Sequence, residues 1–241
     1  MQELSLNILD IAENSVKAGA SLITVAVCYR PAADRLTVTI TDDGCGMDAE
    51  TVRKVTDPFY TTRTTRRVGM GLPLWKMATE MTGGAMTVES APGVGTTVTA
   101  VFGLSHIDRL PLGDLPQTMA TLIGGSPEKD FRLEFEYDGA RFAADTREYR
   151  AVLGEEISLA EPEVLAFITG QVAEGIAECC PAPEKLEIRE MRRRPRRGCG
   201  TAAEAGRRPD HIGRRPMPCG AGPALCRGRR EEYGRDYATF T

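Results

Sequence analysis

Asp10 and Asn14 stand four positions apart in the stretch LNILDIAENSVKAGA, residues 6–20, among Leu6, Ile8, Leu9, Ile11, Ala12 and Val16 at helical spacing. Residues four apart share one helix face. The carboxylate and the amide are therefore either surface groups at the margin of an apolar stripe or groups held inward for a ligand. An amide oxygen such as that of Asn14 suits a hard cation like magnesium, which keeps several waters and needs few protein ligands. A second cluster is DDGCGM, residues 42–47. Its carboxylates can accept from an exocyclic amine, and its glycines let the backbone approach a flat ligand. A third is RTTRRVGMGL, residues 63–72, where two glycines precede a helix start. Free N–H groups and the helix dipole favour phosphate there, and Arg63, Arg66, Arg67 and Thr61, Thr62, Thr64 and Thr65 add anion contacts. Each cluster alone also has a plain reading: a surface Asn, a β-turn, a solvated loop.

The elements that must position these groups follow from hydrophobic periodicity. A helix from about residue 3 carries Asp10 and Asn14. SLITVAVCYR and RLTVTITDDG alternate in a β-branched pattern around the turn PAADR, which predicts a hairpin whose second strand runs into the carboxylate pair. A helix over 49–55, a polar stretch DPFYTTRTTRRVGMGL, and a helix LPLWKMATEMTG follow, then a Gly-rich hairpin with strands at 85–90 and 96–103. From Pro111 the chain changes character. GDLPQTMATLIGG predicts a helix capped by Asp114, FRLEFEYDGARFAAD a hairpin turning at Asp138-Gly139, and TREYRAVLG and EPEVLAFITGQVAEGIAE two helices, the second with Pro162 near its first turn.

Bulk properties narrow the classes. The 241 residues suffice for one large domain, or one domain plus a smaller unit. There is no run of 18 apolar residues and no basic-then-apolar leader, so a cytoplasmic protein without a membrane partner is expected. Seven cysteines without CxxC spacing indicate neither a zinc site nor a disulfide framework. Residues 189–241 hold 14 arginines, no lysine and 6 acidic residues, a net charge of +8, against −12 for the remainder. This Gly/Pro/Arg-rich tail lacks both hydrophobic periods and is expected to be disordered. It has no interleaved aromatics, so nucleic acid is not the expected partner. The domain reading is 1–104, a 105–185 appendage, and a 186–241 tail.

The order of the motifs carries more than any one of them. The chain resembles the ATP-binding domain of the GHKL superfamily, the Bergerat fold of gyrase, histidine kinases and mismatch-repair ATPases. ENSVKAGA is similar to its N box, DDGCGM to its first glycine box, DPFYTTR to the F box of histidine kinases, and GMGL to its second glycine box. GAMTVESAPGVGTTVTAVF resembles the closing strands. The resemblance implies an α+β fold, a two-layer sandwich of a mixed, mostly antiparallel sheet covered by helices, with a small C-terminal α+β appendage. It implies ATP and Mg2+ as ligands. Asn14 would hold the magnesium, and Asp42 would receive the adenine amino group with Gly44, Gly46 and Met47 lining the base. Gly69, Met70, Gly71 and Leu72 would cradle phosphates, Thr96 would lie near the adenine, and Phe59 to Val68 would form a lid that includes Thr61, Thr62 and Arg63.

Within that resemblance, the position four before the magnesium asparagine is Asn in many histidine kinases and a general-base Glu in anti-sigma serine kinases, gyrase and mismatch-repair ATPases. Here it is Asp10, which either takes a proton from water or a hydroxyl or only orients its surroundings. Glu13 is rotated away from Asn14 and is the poorer candidate. No helix precedes the first one to carry a phosphoacceptor His, and His106 reads as a structural residue at the domain edge, so any acceptor is expected on a partner protein. The arrangement resembles small stand-alone ATP-binding proteins of anaerobic bacteria, in which the appendage would bind a partner or a second copy of the chain. Two functions stay open: an ATP-dependent protein kinase or ATPase, and a non-catalytic module whose binding surface ATP switches.

Overall fold

The computed structural model describes residues 3–55, 71–154 and 157–180. The expected tail and the polar stretch before the second glycine box lie outside them. Helix α1 (Leu4–Lys17) buries Leu4, Ile8, Ile11, Ala12 and Ser15, a face at i, i+3, i+4 and i+7 spacing. Leu6, expected in the apolar stripe, is 44 % exposed. The core-facing line passes through Ile8 and Ile11, which rotates Leu6 toward solvent.

Strands β1 (Leu22–Arg30) and β2 (Arg35–Asp42) form the expected hairpin, in register from Ile23 opposite Asp42 to Arg30 opposite Arg35. Helices α2 (Ala49–Lys54) and α3 (Gly71–Met81) follow, then the hairpin of β3 (Ala85–Ala91) and β4 (Gly95–Gly103). Beyond it come α4 (Leu115–Gly125), β5 (Asp130–Tyr137), β6 (Ala140–Asp145), α5 (Thr146–Leu153) and α6 (Pro162–Cys179). Asp114 caps α4 by accepting from Gln117 N at 2.8 Å. Asp138 and Gly139 both take positive φ at the β5–β6 turn, as a two-residue hairpin loop demands.

All six strands join one sheet in the order β3-β4-β2-β1-β5-β6. Every pairing is antiparallel except β1 with β5, which run parallel from Leu22 opposite Asp130 to Tyr29 opposite Tyr137. This is the mixed, mostly antiparallel α+β sandwich that the resemblance implies. One sheet face is buried through alternate residues such as Ile23, Val25 and Val27 of β1, Val38 and Ile40 of β2, and Leu133 and Phe135 of β5. The opposite face carries threonines, among them Thr24, Thr39 and Thr99, at half-buried positions.

The segment expected as an appendage shares this sheet and this core. Leu115, Met119, Leu133, Ile168 and Val172 belong to the same buried cluster as Ile8, Ile40 and Trp75. The first backbone N–H groups of α1, on Leu4 and Ser5, donate to Pro111 O and Leu112 O at 2.9 and 2.8 Å. These carbonyls satisfy donors for which the helix has no side-chain cap. Arg109, 2 % exposed, donates to Leu104 O and Leu110 O and ties down the strap after β4; burial pulls its pKa below the usual arginine value, against the Tyr29 phenol. All described residues fall in one compact unit, and none of their helices is long and apolar enough to cross a membrane.

A single core makes a direct prediction. Trp75 is the only tryptophan and is fully buried in α3, whereas Leu133 is fully buried in β5. Leu133→Ala should cost about 2–5 kcal/mol, and the loss should appear in the urea transition followed by Trp75 fluorescence. A Trp75 transition unmoved by that substitution would mean two independent cores.

Candidate functional site

The site forms where α1, the C-terminal end of β2 and the β3–β4 turn converge. Asp42 ends β2 and is 9 % exposed. A buried carboxylate needs hydrogen-bond donors. Ser15 Oγ donates to its Oδ2 at 2.6 Å, and Gly44 N donates to its Oδ1 at 3.0 Å. Each carboxylate oxygen accepts more than one hydrogen bond, so acceptor capacity remains for a ligand. Thr96 is directly opposite Asp42 in the β2–β4 ladder.

The two carboxylates of DDGCGM separate in role. Asp43 Oδ1 accepts from Ser21 N at 2.7 Å and Leu22 N at 2.9 Å, which pins the chain entering β1. These N–H groups, Leu22 first, hold its pKa below the ordinary aspartate value. Cys45 N donates to Ala18 O and Gly93 N to Cys45 O, so the turn is laced to the end of α1 and to the far hairpin. Met47 N donates to Ser90 Oγ at 2.8 Å, and that oxygen also lies 2.8 Å from Gly95 O and 2.9 Å from Thr96 Oγ1.

Glycine is required at two of these positions for conformation and for room. Gly46 has φ +65° and a Cβ there would overlap Ala91 O; Gly95 has φ +124° and a Cβ would overlap Asp42 O. At Gly44 a Cβ would lie 3.0 Å from Asp42 Oδ1 and 3.1 Å from Ala18 Cβ. The bare backbone leaves that side of the carboxylate open.

Asp10 and Asn14 differ more than their shared face suggests. Asn14 is exposed, and its side-chain amide makes no hydrogen bond among the described residues. Asp10 is half-buried, and its Oδ2 occupies the space that a Cβ on Gly71 would fill. Gly71 is buried as the first residue of α3, and Leu72 is half-buried beside it. The carboxylate thus packs on the start of α3, where the helix dipole favours negative charge. Thr61, Thr62, Arg63, Gly69 and Met70, with the expected lid 59–68, lie outside the described residues.

The structure therefore brings Asp42, Gly44, Gly46, Met47 and Thr96 together at the end of β2 and the β3–β4 turn, with Asn14 on the adjoining helix and Asp10 packed on Gly71 of α3. Sequence reasoning missed Ser15, Asp43's backbone role, Ser90 and Gly95. Ser15 was detectable in principle: it lies four after Ile11 on the buried face of α1, where a hydroxyl needs a partner. Ser90 and Gly95 sit inside a quoted motif, but their partners become visible only once β3 and β4 pair.

Comparison with known proteins places this geometry. The family described as "Histidine kinase-, DNA gyrase B-, and HSP90-like ATPase" matches residues 1–106. The heme sensor protein HssS of Staphylococcus saprophyticus is 34 % identical over 94 residues, covering 39 % of this chain and 20 % of that protein. The signal transduction histidine-protein kinase AtoS of Escherichia coli is 30 % identical over 105 residues, 44 % of this chain and 17 % of its own. The non-motile and phage-resistance protein of Caulobacter vibrioides is 31 % identical over 111 residues, 42 % and 13 % respectively. The chain spans about a fifth or less of the length of these relatives.

The Asp43 contacts predict a pH dependence. A depressed carboxyl pKa contributes stability above the unfolded value, about 3.9, and that stability is lost as pH falls through the folded value. Asp43→Asn should therefore be less stable than wild type at pH 7, and the gap should shrink as urea titrations move from pH 5 to below pH 3. A gap that persists unchanged at low pH would show that the carboxylate charge is not what pins β1.

Proposed function

Because residues 1–106 form an ATP-binding domain of the histidine kinase-, gyrase B- and HSP90-like ATPase family, we propose that the protein binds Mg-ATP and transfers its γ-phosphoryl group, to a partner protein or to water. The observation that carries this reading is the buried Asp42 carboxylate, fixed by Ser15 and Gly44 beside a surface kept free of side chains by glycine. An anchored carboxylate with spare acceptor capacity fits the exocyclic amine of adenine. Gly44 keeps the backbone beside the carboxylate bare for a flat base, and Gly46 lets the turn close on Ala91 O, with Met47 and Thr96 at the margin.

ATP supplies the phosphoryl group, and magnesium the positive charge that offsets charge developing on the phosphates. Among the described residues no cluster of three or more His, Cys, Asp or Glu forms that could hold a metal ion. Asn14 would hold the cation: its exposed side chain makes no hydrogen bond among the described residues, and an amide oxygen suits a hard ion that needs few protein ligands. Gly71 and Leu72 open α3, and the N–H groups of such a helix start favour phosphate.

Asp10 is the group placed to move a proton. Its Oδ2 lies at the start of α3, one helical turn before Asn14, so a hydroxyl or water held near the phosphates would find a carboxylate at the same end of the site. In this reading Gly71 is glycine because the carboxylate occupies the room of its side chain.

Calorimetry with Mg-ATP and phosphate release on the full chain test the proposal. Asp42→Asn should weaken ATP binding at least tenfold, about 1.4 kcal/mol, and EDTA or Asn14→Ala should also lower affinity. Asp10→Asn should keep ATP affinity within threefold and lower turnover by ~10²-fold or more. Tight binding with no turnover in either protein would replace the enzyme with a nucleotide-switched module. No ATP binding at all would overturn both readings.

A further inference from the structure

A second surface lies beyond residue 106, outside the stretch that matches the ATPase family. Helices α5 and α6 pack side by side, with Tyr149 Oη donating to Gln171 Oε1 at 2.6 Å across their junction. Next to that bond is a groove of about 450 Å³ whose apolar lining is Val152, Leu153, Val164, Phe167 and Ile168. Val152 is 86 % exposed and Phe167 62 % exposed, a large apolar investment in water for two neighbouring helices. Burial does not require either residue: α6 already buries Val172, Gly175, Ile176 and Cys179, and Ile168 is buried where it lines the groove. Phe167 and Gln171 sit one turn apart on the face toward α5.

Charge sets the kind of occupant. Glu148 and Glu163 line the groove together with these apolar residues. Helix α6 carries Glu163, Glu174 and Glu178 and no Lys or Arg. The arginines of α5 are already engaged. Arg147 makes two bonds to Asp145, at 2.9 and 2.6 Å, and Arg150 donates to Asp130 Oδ1 at 3.0 Å and to Lys129 O at 3.0 Å. Among the described residues neither Glu148 nor Glu163 has an ion-pair partner. An apolar lining with unpaired carboxylates is complementary to apolar anchors flanked by cations.

We propose that the α5–α6 groove docks a basic amphipathic helix of a partner protein, with apolar side chains at i, i+3 or i+4, and i+7 seated on Val152 and Phe167 and with Lys or Arg facing Glu148 and Glu163. The site goes beyond the nucleotide reading and does not depend on it.

The test uses the full chain as bait for a displayed library of 16-residue peptides with apolar residues fixed at i, i+3, i+4 and i+7 and all other positions random, without nucleotide. Selected peptides should be enriched in Lys and Arg, and their affinity should fall as NaCl rises from 50 to 500 mM. Glu148→Gln with Glu163→Gln, and separately Phe167→Ser, should each weaken binding at least tenfold, while Trp75 fluorescence without urea shows every variant folded, since all three side chains are exposed. The proposal is overturned if no peptide is selected, if those selected are neutral or acidic, or if the variants bind them as wild type does. It is also overturned if binding appears only after Arg192, Arg193, Arg194, Arg196 and Arg197 are changed to Ser, because the groove would then belong to the chain's own basic segment.

Discussion

A carboxylate cannot be taken out of water without donors to meet it, and the arrangement around Asp42 is the solution to that constraint. Ser15 comes from α1 and the Gly44 N–H from the turn after β2, while the Gly95 backbone closes in from β4. Each of these sets a position. Ser15 fixes how α1 sits on the sheet, which in turn places Asp10 and Asn14. Gly95 lets β4 lie against Asp42 O, which puts Thr96 beside the carboxylate. The groups proposed as base, metal ligand and phosphate cradle are therefore located relative to one buried charge.

The same dependence extends past the family boundary at residue 106. β1 has β2 on one side and β5 on the other, so without the later segment it would present an unpaired edge. A parallel partner needs a long crossover, and the strap through Arg109 and helix α4 provide one. That strap also supplies Pro111 O and Leu112 O to the first turn of α1. The helix that bears Asp10 and Asn14 is thus held at its start by residues outside the ATPase match. The later segment is structural support for the site as well as a surface of its own.

Local signals were sufficient for most of the elements. Alternation in LITVAVCYR and RLTVTITD, the Asp114 cap and the Asp138-Gly139 turn are short-range effects, each decided within a few residues, and the strands and helices appear where they predict. The order of N box, glycine boxes and closing hairpin likewise identified the ATPase domain, which the family match places at residues 1–106. The sequence alone therefore determined the fold class, the element order and the identity of Asp42, Asn14 and Asp10 as candidates.

Tertiary structure decided how those candidates differ. Asp42 and Asp43 are adjacent and chemically identical, yet one is buried with Ser15 and the other pins Ser21 and Leu22, because Asp42 closes β2 while Asp43 lies in the turn beyond it. Leu6 fell out of the core and Ser15 into it through the rotation of α1 against the sheet. The place of β5 beside β1, and hence a single core from Leu4 to Cys180, rests on pairing across about a hundred residues. No window of sequence contains both partners of such a contact, so only the folded chain could settle it.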